Sequence, residues 1–360
     1  MTGSMKTWLL RLAGLLLILC TGVPVYAQGI EWETLNDEAI SLCGQGRYDR
    51  AAVVAKKALE VAEQAGGPSH LSVATSLNTL AGVYYAQGEY ALAVPLHKRA
   101  LTIREKALGP DHPGVATSLN NLALLYSTQG EYALAAPLFK RALGIDEKAL
   151  GPDHPHVASD LHNLALAYSD QGQYALAEPL YRRALAIFEK ALGPNHPDLA
   201  KTLNNLAGVY CAQGEPAPAK PLYKRALAIR EKAFGPDHPD VATSLNNLAG
   251  VYRRQGEYAP AEPLFKRALA IFEKALGPDH PSVALNLNNL ALLYSDQGEY
   301  ALAEPLFKRA LAIDEKALGP DHPSVATCLD NLAALFRKTG RAKEAEALEK
   351  RAAAIRAIKR

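Results

Sequence analysis

The chain has 360 residues, 49% of them hydrophobic, with 39 basic against 37 acidic side chains. Such a balance lacks the net basic footprint that nucleic acid demands of a partner. Only four cysteines occur, and the three beyond residue 27 (Cys43, Cys211 and Cys328) are an odd, widely spaced set, which argues against a disulfide framework.

Residues 1–27 read as an export signal. Lys6 and Arg11 form a basic opening, Leu12 to Cys20 is an apolar run, and Pro24 precedes Val25-Tyr26-Ala27, a small-residue cleavage pattern. The apolar run falls far short of the ~20 residues a spanning helix needs. The expectation is therefore an exported protein, periplasmic or extracellular, beginning at Gln28 and without stable membrane insertion. Beyond that segment the chain carries 37 basic and 37 acidic residues.

From Trp32 onward one unit recurs. His112, His154, His196, His238, His280 and His322 stand 42 residues apart, each preceded by Gly-Pro-Asp or Gly-Pro-Asn and followed by proline. A fixed period of this length marks an array of supersecondary units. Taking Ala116 as position 1, Leu119, Leu122, Ala123 and Tyr126 occupy positions 4, 7, 8 and 11, the spacing of an amphipathic helix. After Gly130, suited to the left-handed residue that ends a helix, Tyr132, Ala135, Phe139, Ala142 and Leu143 give a second one. Gly151 and Pro152 end it, and Asp153 is expected to cap the next first helix. Position 1 recurs at Trp32, Ala74, Ala116, Ala158, Ala200, Ala242, Ala284 and Ala326. The expected organisation is a degenerate first repeat and cap over 28–73, six regular repeats over 74–325, and a last repeat with a charged capping helix over 326–360.

Alanines 123, 135 and 142 allow close helix approach, and Tyr126 and Phe139 fill the space beside them. One helix pair cannot bury its own apolar face, so the units must stack. This small–large signature resembles the tetratricopeptide repeat. The 42-residue period, the LNNLALLY segment and the KRAL…EKALGPDHP segment resemble the kinesin light chain variety. The resemblance implies an all-α tetratricopeptide-repeat solenoid, a right-handed superhelix of helix pairs whose first helices line a concave groove. It implies no enzyme activity and no cofactor. No heptad segment of the kind that joins a kinesin light chain to its motor is present, and an export signal excludes that role.

The repeated Asp-His pairs invite a metal or catalytic reading. Neighbouring packed helices lie ~8–10 Å apart, whereas metal–nitrogen bonds are ~2 Å and need converging ligands. Capping of the loops is the better account, and neither catalytic nor metal residues are expected. The basic doublets such as Lys140-Arg141 and Lys266-Arg267 read as a solvated outer face with i, i+4 partners such as Glu262. Pro137 and its counterparts read as residues of the opening turns of the second helices.

The informative stripe is of amides. Positions 2, 5, 6, 9, 12 and 13 lie opposite the core side of the first helix. Positions 5 and 6 hold Asn120-Asn121, Asn204-Asn205, Asn246-Asn247 and Asn288-Asn289, with Asn163 and Asn331 at position 6 of other units. Asparagine is a poor interior helix former, but an amide offers donor and acceptor together to an extended peptide backbone. In kinesin light chains the LNNLA asparagines contact cargo peptides, which carries over to these residues. Glycine at position 9 (Gly208, Gly250) opens space, while Arg253-Arg254, Lys201 and Arg337-Lys338 make the C-terminal half basic and favour an acidic ligand. The partner expected is thus a protein or extended peptide. The alternative is a structural protein of the cell envelope that self-associates, its amides only stiffening the array.

Overall fold

The computed structural model describes residues 30–358, and the expected export signal lies outside them. Among the described residues there are sixteen helices and no strand. Helix α1 covers residues 30–44. It is followed by α2 (Tyr48–Gly66), α3 (Leu71–Ala86), α4 (Tyr90–Leu108), α5 (Pro113–Thr128), α6 (Tyr132–Leu150), α7 (Pro155–Asp170) and α8 (Tyr174–Leu192). Then come α9 (Pro197–Ala212), α10 (Pro216–Phe234), α11 (Pro239–Arg254), α12 (Tyr258–Leu276), α13 (Pro281–Asp296), α14 (Tyr300–Leu318), α15 (Pro323–Lys338) and α16 (Ala342–Ile358). The chain divides into two compact units, Met1–Leu180 and Tyr181–Arg360.

Within each unit odd-numbered first helices alternate with even-numbered second helices. In the first unit Ala123, Ala135 and Ala142 are fully buried, and Phe139 fills the space between them. In the second, Ala249, Phe265, Leu290, Phe307, Leu332 and Ala345 form one cluster that passes through α11 to α16. Each helix pair therefore closes its core only with its neighbour's side chains. Gly130 and Gly151 take φ of 78° and 89°, a conformation that L side chains avoid, and each ends a helix.

Two local expectations change. The first-helix cap is the histidine, not the aspartate before it. Nδ1 of His112, His154, His196, His238, His280 and His322 accepts the amide hydrogen two residues on, at 3.0–3.3 Å. The neighbouring aspartate is thereby released, and Asp111, Asp237 and Asp279 instead pair with Lys148, Lys274 and Lys316 near the end of the following second helix. Pro137 sits in the second turn of α6, five residues after Tyr132, as expected, and the helix continues through it.

The second change concerns the basic doublets. Lys266 and Lys308 do pair with Glu262 and Glu304 four residues earlier. The arginine of the doublet reaches back a whole repeat instead. Arg99 meets Glu63, Arg141 meets Glu105, Arg267 meets Glu231 and Arg309 meets Glu273, at 2.6–2.7 Å. Arg225–Glu189 and Arg351–Glu315 repeat the contact. Arg99, Arg141, Arg225 and Arg267 also donate to the carbonyl of the loop proline, as Arg141 does to Pro110. Half-exposed pairs of this kind contribute only about 0–1 kcal/mol each, but they fix the register of successive second helices.

One internal register is not uniform. Second-helix position 31 faces position 3 of the next first helix, and the residues there differ from junction to junction. Arg104 donates to Ser118 Oγ (2.9 Å) and to the Gly114 carbonyl (3.3 Å); Arg230 does the same to Ser244 Oγ (2.8 Å) and the Asp240 carbonyl (3.1 Å). Phe188 and Phe272 stand at this register in other units. Asp314 meets Cys328.

At another junction in the first unit two carboxyls, Asp146 and Asp160, are buried close to each other. Asn120 Nδ2 donates to Asp160 Oδ1 at 2.5 Å. Burial pushes the Asp160 carboxyl up to about 7, with Asp146 and Glu147 adding to the rise and Asn120 opposing it. Asp146 is also raised by burial, against the pull of Asp160, His156 and His154. Two neighbouring buried carboxyls do not both ionise readily, so the raised group keeps its proton to higher pH. A raised folded-state pKa means stability that is complete below the ordinary carboxylate range and is lost as pH rises through about 7. Asp160→Asn should therefore leave thermal stability near pH 3 little changed and raise it increasingly as pH climbs to 8. Melting curves of both proteins across that range would check this; parallel curves would show that the pair holds no proton.

Candidate functional site

The stripe of amides lies on the first helices, and each unit presents its own part. In the second unit the position-6 residue donates to the position-5 residue of the preceding repeat. Asn247 Nδ2 reaches Asn204 Oδ1 (2.9 Å), Asn289 Nδ2 reaches Asn246 Oδ1 (3.1 Å) and Asn331 Nδ2 reaches Asn288 Oδ1 (2.9 Å). Asn246 Oδ1 also accepts from Asn286 Nδ2 at 3.2 Å. Asn246 and Asn288 are buried, each 7% exposed, while Asn204, Asn205, Asn247, Asn289 and Asn331 are half-buried. Position 5 is thus the inner rung. Position 6 keeps an edge toward solvent, since one amide hydrogen remains after its bond to the preceding repeat.

In the first unit the pattern differs. Asn120 serves the buried Asp160, and Asn121 and Asn163 are half-buried. Asn78 Oδ1 lies 2.8 Å from His97 Nδ1. Burial and the Arg104 charge lower His97 to about 4, so its ring is neutral and donates to that oxygen. A cavity of about 500 Å³ opens over Gly82, walled by Tyr48, Thr79, Asn78 and Asn121.

A smaller cavity, about 150 Å³, opens in the second unit at Gly250. Its wall combines Asn246, Asn247 and Asn289 with Arg253 and Arg254, which is where the sequence placed any selectivity. A Cβ on Gly250 would meet nothing within 4 Å, so the space comes from the missing side chain. Arg253 is bound to Asp296 at 2.6 Å, and Arg254 Nη1 donates to the Cys211 carbonyl at 3.0 Å. Lys201 is exposed. Arg337 turns away to a two-bonded pair with Glu349, so it adds no free charge to this face.

Sequence reading missed Tyr223, which closes the cavity floor with Cys211. Its signal was second-helix position 24, where Tyr181 and Tyr223 stand in place of Phe139, Phe265 and Phe307. Burial raises the Tyr223 hydroxyl and the Cys211 thiol above their ordinary ranges, so both stay protonated. Among the described residues Cys43, Cys211 and Cys328 are free thiols, Cys328 buried and the other two half-buried.

Among the described residues no group of three or more His, Cys, Asp or Glu side chains is arranged to hold a metal ion. No helix among them is long and apolar enough to cross a membrane.

The tetratricopeptide-repeat family model matches in overlapping windows from 33–106 through 130–190 and 198–274 to 282–357. The chain belongs to the tetratricopeptide-repeat family. Its repeats are similar to those of a putative kinesin light chain from Podosopora anserina with nearly identical repeats, at 31% identity and TM-score 0.51, over 58% of this chain and 97% of that one. BtubC from P. vanneervenii is similar at 28% identity and TM-score 0.50, over 64% and 89%. The apo form of the quorum sensor NprR from B. thuringiensis shares the fold across 98% of this chain and 97% of its own, with TM-score 0.67 at 16% identity. No curated protein sequence matches the chain significantly. The protein is accordingly a repeat scaffold, an architecture that serves protein contacts through extended surfaces.

The amide geometry makes one substitution decisive. Asn246→Ala removes the acceptor of both Asn286 and Asn289. It should cost about 1–3 kcal/mol, the penalty for leaving a buried donor unpaired. Asn331→Ala deletes only the donor of one bond and should cost less. Urea unfolding of the two variants gives the comparison; equal, negligible losses would mean that the ladder does not hold the repeats together.

Proposed function

We propose that the chain is an exported, non-enzymatic scaffold that binds an acidic, extended peptide or protein segment along the first-helix face of its second unit. The six repeats over 74–325 are its working part, flanked by the degenerate repeat of 28–73 and the charged cap of 326–360. The cavity at Gly250 carries this reading. It brings amide donors and acceptors beside two arginines around a space that a missing side chain leaves open. Asn289 and Asn331 at position 6 hold the peptide backbone, while Asn246 and Asn288 set the spacing beneath. Arg253 exchanges Asp296 for a ligand carboxylate, and Lys201 adds charge at the rim. In the first unit Asn120, Asn121 and Asn163 continue the amide pattern on its own face.

Gly250→Leu tests the proposal without weakening the fold. Leucine already stands at position 9 in Leu124, Leu166 and Leu292, and replacing a helical glycine should add up to ~1 kcal/mol of stability. The variant should melt at or above the wild-type temperature yet lose partner crosslinking in the native compartment. Arg253→Glu should weaken the same crosslinks, and wild-type capture should fall as salt rises. Undiminished capture by Gly250→Leu would refute the site.

Export rests on the basic, apolar and small-residue order of residues 1–27. N-terminal sequencing of the protein from its producing cells should read Gln28 first. An intact Met1 on cytoplasmic protein would overturn the localisation. Self-association is the competing reading, favoured by Ile40 and Val53, 58% and 68% exposed at the N-terminal end. A concentration-dependent mass in sedimentation, unaffected by Gly250→Leu, would support it.

A further inference from the structure

A second cavity in the second unit, about 390 Å³, lies at the N-terminal ends of α13 and α15. That volume is within the ~300–1,000 Å³ of ligand pockets. Leu285 and Leu318, 57% and 37% exposed, form its sides, and Asn288 forms part of its wall. Asp314 and Cys328 line it, each only 4% exposed. Cys328 Sγ donates to Asp314 Oδ2 at 3.5 Å, a weak bond for a buried carboxylate. Burial, reinforced by Asp314, pushes the Cys328 thiol up to about 12, so it offers one proton and no countercharge. Burial also raises the Asp314 carboxyl, against the pull of His322.

The other repeats show what this register accommodates. Arg230 stands where Asp314 does, and its guanidinium bonds the carbonyl ten residues on and the hydroxyl fourteen residues on. Arg104 makes the same two bonds. Counting likewise from Asp314 gives Ser324 and Cys328, and both line the cavity. This junction thus keeps the backbone acceptor position that serves a guanidinium elsewhere but carries the opposite charge and an open space.

We infer that this cavity receives an arginine side chain from a protein partner, which pairs with the Asp314 carboxylate. The Ser324 carbonyl takes the place that Asp240 and Gly114 hold at the arginine-bearing junctions. Leu285 and Leu318 flank the aliphatic stem, as long cationic side chains require. A planar guanidinium suits a carboxylate better than an ammonium does, because it donates two parallel bonds. A buried carboxylate without a countercharge is costly, so the site favours a cation over a neutral ligand. The inference shares Asn288 with the amide ladder but requires neither the cavity at Gly250 nor an acidic ligand there.

The test uses the full chain with labelled leucine methyl groups and the blocked tripeptide acetyl-Gly-Arg-Gly-amide as probe. Titration should move the Leu285 and Leu318 methyl resonances saturably. The citrulline tripeptide, which has the same shape without the charge, should bind at least about tenfold more weakly. Asp314→Asn should abolish the preference for arginine while leaving the melting temperature unchanged or higher. Asp314→Arg combined with Cys328→Ser rebuilds the Arg230–Ser244 arrangement, and should fold stably and no longer respond to the probe. Equal binding of arginine and citrulline, or an unchanged response in Asp314→Asn, would overturn the inference. Loss of capture by Gly250→Leu with this response intact would separate the two sites.

Discussion

Close helix approach at alanine is the constraint on which this molecule depends. Ala123, Ala135 and Ala142 are fully buried, as are Ala249, Ala261 and Ala268 in the second unit. Any larger side chain there would force the helices apart and break the packing of Phe139 or Phe265 beside them. Because a pair closes its core only against the next pair, a fault at one alanine spreads to two interfaces. This requirement explains why the core positions are so monotonous from repeat to repeat.

Monotony at the core moves individuality elsewhere. What differs between units is either on the first-helix face, at positions 9, 12 and 13, or beneath it, where position 31 meets position 3. Two cavities of the second unit fall at these places, one at Gly250 and one at Asp314. A surface built this way gains recognition from departures against a uniform background. The amides contribute to both sides, since the buried Asn246 and Asn288 hold the spacing that the half-buried Asn289 and Asn331 then display.

The fold was legible because it depends on local periodicity. Leu119, Leu122 and Ala123 announce a helix face, and Gly130 announces its end, whatever surrounds them. Contacts that span a repeat were harder to read. Arg141 has an acidic residue on its own helix, Asp146, yet its partner is Glu105, because stacking brings the preceding second helix within reach. The cap was misassigned for a related reason: aspartate is the better cap by local preference, but His154 satisfies the amide and frees the preceding position for other contacts. The amide ladder was found, but its division into an inner and an outer rung needed the relative height of adjacent helices. Asp314 was invisible as a site, since nothing in a single repeat tells an outward carboxylate from a buried one.

The variable register beneath the surface has a consequence for assembly order. Near-identical modules in tandem invite docking out of turn, a characteristic failure of repeat proteins during folding. The arginine–glutamate clamps are interchangeable and offer no safeguard. Within the second unit the position 31 and position 3 residues are not interchangeable. A slip of one module in the second unit would set Phe188 over Ser244, leaving that hydroxyl without its guanidinium, and would set Arg230 over Asn286. The first mismatch strands a buried polar group, at about 1–3 kcal/mol, and the second places a guanidinium where a phenyl ring packs in the native register. Four different combinations thus act as an address code written into the interior, telling otherwise equivalent modules which neighbour is theirs.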